Sequence, residues 1–333
     1  MSQLFSRRRA VWLRGMIGLV VAVVALTGCS ADSESGGTGA TRTVDTERGP
    51  VEVPVEPQRV VVLNGALAGY LYDLDVPVAA ADPRVLGVSG RKGDFPESWA
   101  GDAEQQGTRM VPTGQSVNAE FIASVDPDLI IGGGQGFTAQ QSVDAYDQLS
   151  DIAPTVLVPA EVTGWQEQLN LIADVVNRTD EVGELVGAYE DRVQQVSAEI
   201  TVPQDEVGYF LSASSNQPQM ILPNAALPTL LAELGFRADD QVLTKAGDPE
   251  LDGGSADWFG FSAELLTEVV DQRVVFVVPL SGARSAAELA EDPMYAQLPA
   301  FADKKVYELP ATSYRPDYRG VMDTLDVIAE LFP

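Results

Sequence analysis

From Arg59 onward the chain alternates short β-rich runs with helix-like segments, and it does so in two series separated by one long amphipathic stretch. Such alternation marks an α/β protein with mostly parallel sheets, because parallel strands need a crossover that a helix supplies. The first series is Arg59 to Leu63, Val76 to Ala80, Leu129 to Gly132 and Thr155 to Val158. The second is Glu206 to Leu211, Gln219 to Ile221, Arg273 to Val278 and Lys305 to Leu309. Between them Leu169, Ile172, Val176, Val182, Leu185, Tyr189, Val193, Val196 and Ile200 recur close to every 3.6 residues, and Pro203 closes the segment. That periodicity predicts a long connecting helix over residues 165–200, with Asn177-Arg178-Thr179-Asp180 as a point where it can bend or recap.

The N-terminus is a separate unit. Arg7, Arg8, Arg9 and Arg14 precede or open an uncharged apolar run from Met16 to Leu26, the order of a secretory signal. The run is too short for a membrane anchor, which needs about 20 apolar residues. It ends in Leu26-Thr27-Gly28-Cys29, which resembles the bacterial lipobox, with cleavage before the cysteine and a lipid on its thiol. Cys29 is the only cysteine in the chain, and an exported protein has little use for one unpaired thiol. Residues 1–28 are therefore expected to be removed as a lipoprotein signal peptide. Residues 29–57, rich at first in Ser, Gly, Thr and acids, are expected to form a flexible tether. The body would then sit at the outer face of the cytoplasmic membrane.

Charge and composition exclude whole classes of function. The chain has 333 residues, 45% of them hydrophobic, which is enough for two folded lobes and rules out disorder throughout. Its formal net charge of −28 makes nucleic acid a poor partner, since that affinity comes from Lys and Arg on phosphates. Histidine is absent, which removes Ser-His-Asp and Cys-His catalysis, most zinc and copper sites, and histidine-ligated haem. Gly132-Gly133-Gly134-Gln135-Gly136 follows a strand, but position 137 is Phe where a dinucleotide loop needs Gly, so it reads as a turn.

The two halves echo each other. Asn118-Ala119-Glu120-Phe121-Ile122 followed by Asp126-Pro127-Asp128-Leu129-Ile130-Ile131 is matched by Ser262-Ala263-Glu264-Leu265-Leu266 followed by Asp271-Gln272-Arg273-Val274-Val275-Phe276. Each reads as cap, first-turn Glu, short helix and strand, and a capping role alone would account for both glutamates. The strand Arg59-Val60-Val61-Val62-Leu63, the Asn118 to Ile130 segment, the Ala153-Pro154-Thr155 step, the mid-chain helix and the Leu298-Pro299-Ala300 to Lys305-Val306-Tyr307 segment together resemble the helical-backbone class of ABC-importer substrate-binding proteins. The resemblance covers roughly residues 50–333. That class takes up iron-siderophores, haem and cobalamin. The resemblance implies two Rossmann-like α/β lobes, residues 58–164 and 201–333, joined by a long helix with the ligand cleft between them. It also implies a monomer without a cofactor, and one glutamate per lobe, Glu120 and Glu264, that docks onto arginines of an ABC permease dimer.

Ligands of open α/β sheets bind beyond the carboxyl ends of the strands, so the loops after the strands are where site residues are sought. Those loops carry Arg84, Arg91, Lys92, Arg284, Arg315 and Arg319, with Trp258, Tyr314 and Tyr318 nearby. In so acidic a chain, arginines gathered at one rim point to an anionic, delocalised ligand such as a ferric siderophore, whose chelator already fills the iron coordination sphere. The expected ligand contacts are Arg84, Arg284, Arg315, Tyr314, Arg319, Trp258, Asn64 and Gln135, with no metal bound directly by the protein. Two rivals stand beside this reading. One is a haem receptor of the same fold using Tyr314, Tyr318 or Met220. The other is an exported hydrolase built on the aspartate pairs Asp73/Asp75 or Asp126/Asp128, positions that turn chemistry next to proline would also explain.

Overall fold

A computed structural model describes residues 39–88, 95–215, 217–247, 249 and 257–333. The leader with Cys29, and Arg91 and Lys92, lie outside the described residues. The described strands are β1 (Thr41–Thr46), β2 (Gly49–Pro54), β3 (Val60–Val62), β4 (Val78–Ala81), β5 (Arg109–Met110), β6 (Leu129–Gly133), β7 (Thr155–Val158), β8 (Val207–Ser212), β9 (Gln219–Ile221), β10 (Trp258–Gly260), β11 (Val274–Pro279) and β12 (Val306–Glu308). They make a hairpin, β1-β2, and two five-stranded sheets of matching order, β5-β4-β3-β6-β7 and β10-β9-β8-β11-β12. The first sheet is wholly parallel, whereas in the second β9 runs antiparallel to both β8 and β10. Runs such as Val60-Val61-Val62 and Val274 to Val278 are buried throughout, as expected of strands covered by helices on both faces.

Residues 29–57 do not form a tether along their whole length. Thr41 to Pro54 pair as an antiparallel hairpin, turned at Gly49 (φ 102°) and packed on the body through Val44 and Val53. Thr41, Thr43, Asp45 and Glu52 face solvent, so only two positions bury fully and the apolar alternation is too sparse to read as strand. The short strands β5 and β10 escape sequence reading for a related reason, since each is an edge strand of two or three residues.

The connector is two helices, Trp165–Val175 and Val182–Glu199, instead of one. The first ends at Asn177, which takes a left-handed backbone (φ 57°). The Asn177 amide donates to Asp174 O at 3.1 Å and the Arg178 amide to Ala173 O at 2.7 Å. This pair of bonds is a Schellman stop, and Asn tolerates the left-handed conformation better than most residues do.

One continuous apolar core joins the lobes. It takes in Val60, Val62 and Leu67 of the first lobe, Tyr209, Phe276 and Val278 of the second, Leu169, Ile172, Tyr189 and Val196 of the connector, and Val321, Leu325 and Ile328 of the last helix, Tyr318–Leu331. Each such side chain contributes about 1.5–3 kcal/mol when fully buried. The outer faces of the two sheets carry smaller separate clusters. The last helix belongs in sequence to the second lobe, yet it packs on both connector helices and on helix Gly65–Asp73 of the first lobe. Gly69 makes that approach possible, because a Cβ there would collide with the Asp317 carboxylate.

At the same seam Arg319 reaches back into the first lobe. Its Nε donates to Asp73 Oδ1 at 2.8 Å and its Nη1 to Asp102 Oδ2 and to Ser98 O, both at 2.6 Å. With both carboxylates and a carbonyl on its guanidinium, Arg319 serves as an inter-lobe clamp, a role different from the ligand contact its loop position implied. Arg319→Ala should lower the unfolding free energy by about 3 kcal/mol, because it strands buried carboxylate charge. The exposed Arg273→Ala, whose pair with Asp303 spans 3.8 Å, should stay within about 0.5 kcal/mol in the same urea titration.

Candidate functional site

Both sheets start at a central strand, β3 or β8, and wind outward in two directions, so each has a topological switch point, between β3 and β6 and between β8 and β11. Crevices open at such points because successive crossovers leave on opposite sides. In the first lobe Asn64 sits there, as the N-cap of helix Gly65–Asp73. Its Oδ1 accepts from the Ala66 amide at 3.2 Å, and its Nδ2 donates to Gly133 O at 2.8 Å and Gln135 O at 3.2 Å, which ties the ends of β3 and β6 together.

A cavity of about 290 Å³ opens above this point and is bounded by both lobes. The first lobe supplies Asn64, Arg84, Leu86, Trp99, Gln135 and Phe137 among its lining, and the second supplies Ala311, Thr312, Arg315, Pro316 and Asp317. A wider cavity of about 820 Å³ adjoins it, sharing Gly87, Val88, Ser98, Ala311 and Thr312. Between the lobes on that side the Ser281 amide donates to Gly87 O at 2.8 Å. Gly87 has a left-handed backbone (φ 75°), and a Cβ there would strike Leu280, so the latch requires glycine.

Four of the eight predicted ligand contacts line the smaller cavity: Asn64, Gln135, Arg84 and Arg315. The other four are placed elsewhere. Arg284 pairs with Asp292 at 2.9 Å and lies over the Tyr295 ring, 4.9 Å from its centroid, outside both cavities. Only its carbonyl is at the second switch point, where it accepts from Ser212 Oγ at 2.6 Å. Tyr314 is buried and donates to Asp257 Oδ1 at 2.9 Å. Burial, together with that carboxylate, pushes its hydroxyl far above the usual tyrosine range. Trp258 lies on the edge strand β10, partly exposed, away from both cavities. Arg319 lines the wider cavity but is held in the clamp.

The two cavity arginines are not free cations. Arg84 grips Asp82 with Nε (2.9 Å to Oδ1) and Nη2 (2.5 Å to Oδ2), and it also donates to Gly114 O and Gln141 Oε1. Arg315 grips Asp257 with Nε at 2.5 Å and Nη2 at 2.8 Å. Burial lowers the proton affinity of Arg315, but the Asp257 carboxylate outweighs it and the guanidinium is held above its usual range. Sequence reading overlooked Phe137 and Leu86, both large and exposed at the cavity, and Asp317. Asp82-Pro83-Arg84 carried a local signal of its pair, whereas Asp257 and Arg315 are 58 positions apart and carried none.

The aspartate pairs proposed for hydrolysis are structural. Asp128 accepts from the Gln58 and Arg59 amides, Asp126 and Asp75 occupy left-handed turns, and Asp73 belongs to the clamp. Of the candidate haem ligands, Met220 and Tyr314 are buried outside the cavities and Tyr318 lines the wider one. Among the described residues no group of three or more His, Cys, Asp or Glu could hold a metal ion, and no helix is long and apolar enough to cross a membrane.

Residues 60–312 match the periplasmic binding protein family. The chain belongs to that family. It is 25% identical over 297 residues to FepB, the ferric enterobactin-binding periplasmic protein of Escherichia coli strain CFT073, covering 87% of this chain and 91% of the relative. It is 24% identical over 315 residues to the Fe(3+)-citrate-binding protein YfmC of Bacillus subtilis, covering 91% and 90%. Among solved structures, holo-ViuP superposes with a TM-score of 0.72 at 22% identity over 87% of this chain and 95% of that one. Staphylococcus aureus SirA complexed with staphyloferrin B gives 0.65 at 18% identity over 87% and 97%. Family and fold are those of substrate-binding proteins, which bind solutes without transforming them.

Asp317 gives the site a pH dependence. Burial raises its carboxyl to about 6 and Asp73 adds to this, against the Gly320 amide that donates to Oδ1 at 2.8 Å. A carboxyl raised in the fold favours the protonated form, so its contribution to stability is present at pH 4 and lost as pH rises through 6. Asp317→Asn keeps the helix cap and should raise stability by about 1–2 kcal/mol at pH 8 with no gain at pH 4, read from thermal midpoints across that range.

Proposed function

We propose that this protein is the extracytoplasmic receptor of an ABC importer, which captures a ferric siderophore in the cavity between its lobes and delivers it to the permease. The observation that carries the reading is one cavity, at the carboxyl ends of the strands, with a guanidinium from each lobe on its wall, in a chain related to iron-chelate-binding proteins. Arg84 and Arg315 would donate hydrogen bonds to chelate oxygens, Asn64 and Gln135 would hold the first-lobe wall, and Leu86 and Phe137 would meet the ligand's apolar body. The shared core and the clamp limit closure to small tilts of the lobes.

Ferric chelates should quench the tryptophan fluorescence of the protein without turnover, and Trp99→Phe should remove most of that signal. Arg315→Ala or Arg84→Ala should weaken binding by about 1.5–3 kcal/mol, the range for a charged hydrogen bond. Arg284→Ala, outside the cavity, should leave affinity unchanged; the reverse pattern in the titration would move the site.

Glu120 and Glu264 are assigned to permease docking. Both are exposed, and they occupy equivalent places, since helix Ala119–Val125 precedes β6 and the turn Ala263–Leu265 precedes β11, strands of matching position in the two sheets. Two such carboxylates suit a two-fold partner and give orientation and on-rate more than affinity. The double variant Glu120→Ala, Glu264→Ala should bind ligand normally and abolish uptake in cells. The leader and the lipobox-like Leu26-Thr27-Gly28-Cys29 support export and lipid attachment at Cys29, with the folded body held at the outer face of the cytoplasmic membrane.

A further inference from the structure

The net charge of the cavity constrains its cargo more narrowly than iron chelation does. Of the described residues on its wall, only Arg84, Arg315 and Asp317 carry ionisable side chains. Each arginine is joined to its own aspartate through Nε and Nη2, Arg84 to Asp82 by three hydrogen bonds and Arg315 to Asp257 by two. The two aspartates are well sequestered, with side chains 3% and 16% exposed, so separating either from its arginine would leave a largely buried charge unpaired. Each pair is electrically neutral, and Asp317 adds nothing or one negative charge.

The helices that begin at Gly65, Phe137 and Tyr318 direct their N-termini toward the same space. They supply partial positive charge suited to oxygen acceptors, but no full counter-charge, and Asp317 offsets one of them. Around this wall the whole chain carries a formal charge of −28.

Ferric chelates divide sharply by charge. Three hydroxamates, each singly negative, neutralise iron(III), whereas three catecholates, each doubly negative, leave three negative charges on the complex. A trianion entering this cavity would lose water and meet no uncompensated cation among the described residues of its wall. A neutral chelate would still find donors, since a guanidinium has five N–H groups and Asp257 takes only those of Nε and Nη2 of Arg315. Its hydrocarbon arms would find Leu86 and Phe137, which are 50% and 56% exposed, beside Val85 and Val88.

We infer that the cargo is a ferric chelate of zero net charge, of the tris-hydroxamate kind, and that Asp82 and Asp257 set this preference by neutralising the arginines that touch it. The inference rests on the siderophore reading above. Fluorescence titration of the mature protein with ferrichrome, a neutral tris-hydroxamate, and with ferric enterobactin, a trianionic tris-catecholate, tests it.

Ferrichrome should bind at least about tenfold tighter at 150 mM salt, with a Kd that barely changes between 50 and 500 mM. In Asp257→Asn, and separately in Asp82→Asn, the trianion should gain about tenfold while ferrichrome shifts less than about threefold. Tighter binding of ferric enterobactin to the unaltered protein would overturn the inference and leave the siderophore reading standing, as would an unchanged preference in both folded variants. Failure of both chelates to bind the unaltered protein would overturn the siderophore reading together with the inference. The salt series needs no variant and decides the matter if either substitution fails to fold.

Discussion

The inner faces of both sheets bury against the same helices, and the geometry of the cavity follows from that shared core. Two lobes with independent cores would meet through a polar seam and move freely. Here Leu169 and Ile172 of the first connector helix, Tyr189 and Val196 of the second, and Val321, Leu325 and Ile328 of the last helix belong to one apolar mass with Val62 and Phe276. The last helix crosses back onto helix Gly65–Asp73, where Gly69 admits Asp317 and Arg319 bonds Asp73 and Asp102. The walls of the cavity are therefore held at a set separation before any ligand arrives, which reduces the ordering cost of binding.

Electrostatics then decides what those walls can hold. Isolated arginines in so acidic a chain would be strong anion receptors. Paired with Asp82 and Asp257 they become oriented hydrogen-bond donors of no net charge. The pairing also fixes the planes of the guanidinium groups, so donors are aimed before ligand enters. Leu86 and Phe137 add exposed apolar surface at the same place, an arrangement that monomeric proteins usually reserve for binding.

Much of the architecture was legible from periodicity. The runs at Thr155 to Val158 and Gln219 to Ile221 coincide with β7 and β9 to the residue, and the other predicted strands lie within two residues of the observed ones. Such runs are buried on both faces, so their apolar character is unbroken. The hairpin β1-β2 failed that test because only Val44 and Val53 bury, and its first strand lies in a stretch whose composition reads as tether. The connector's break was visible at Asn177-Arg178-Thr179-Asp180, but apolar spacing on either side continued in phase and favoured one helix. In the site, Asn64 and Gln135 followed directly from strand ends, because topology alone puts post-strand loops at the crevice. Tyr314, Trp258, Arg284 and Arg319 satisfied the same loop criterion and were placed elsewhere by their partners: Asp257 for Tyr314, the edge strand for Trp258, Asp292 for Arg284, and Asp73 with Asp102 for Arg319.

The sequence by itself determined the α/β class, the two lobes, the exclusion of histidine chemistry and the loops from which a site would be built, since these depend on local periodicity and composition. Only the tertiary structure decided which charged side chains face the cavity and what charge they present. An arginine's direction is set by whichever carboxylate or carbonyl the fold brings within about 3 Å, and for Arg315 and Arg319 those groups come from 58 to 246 positions away.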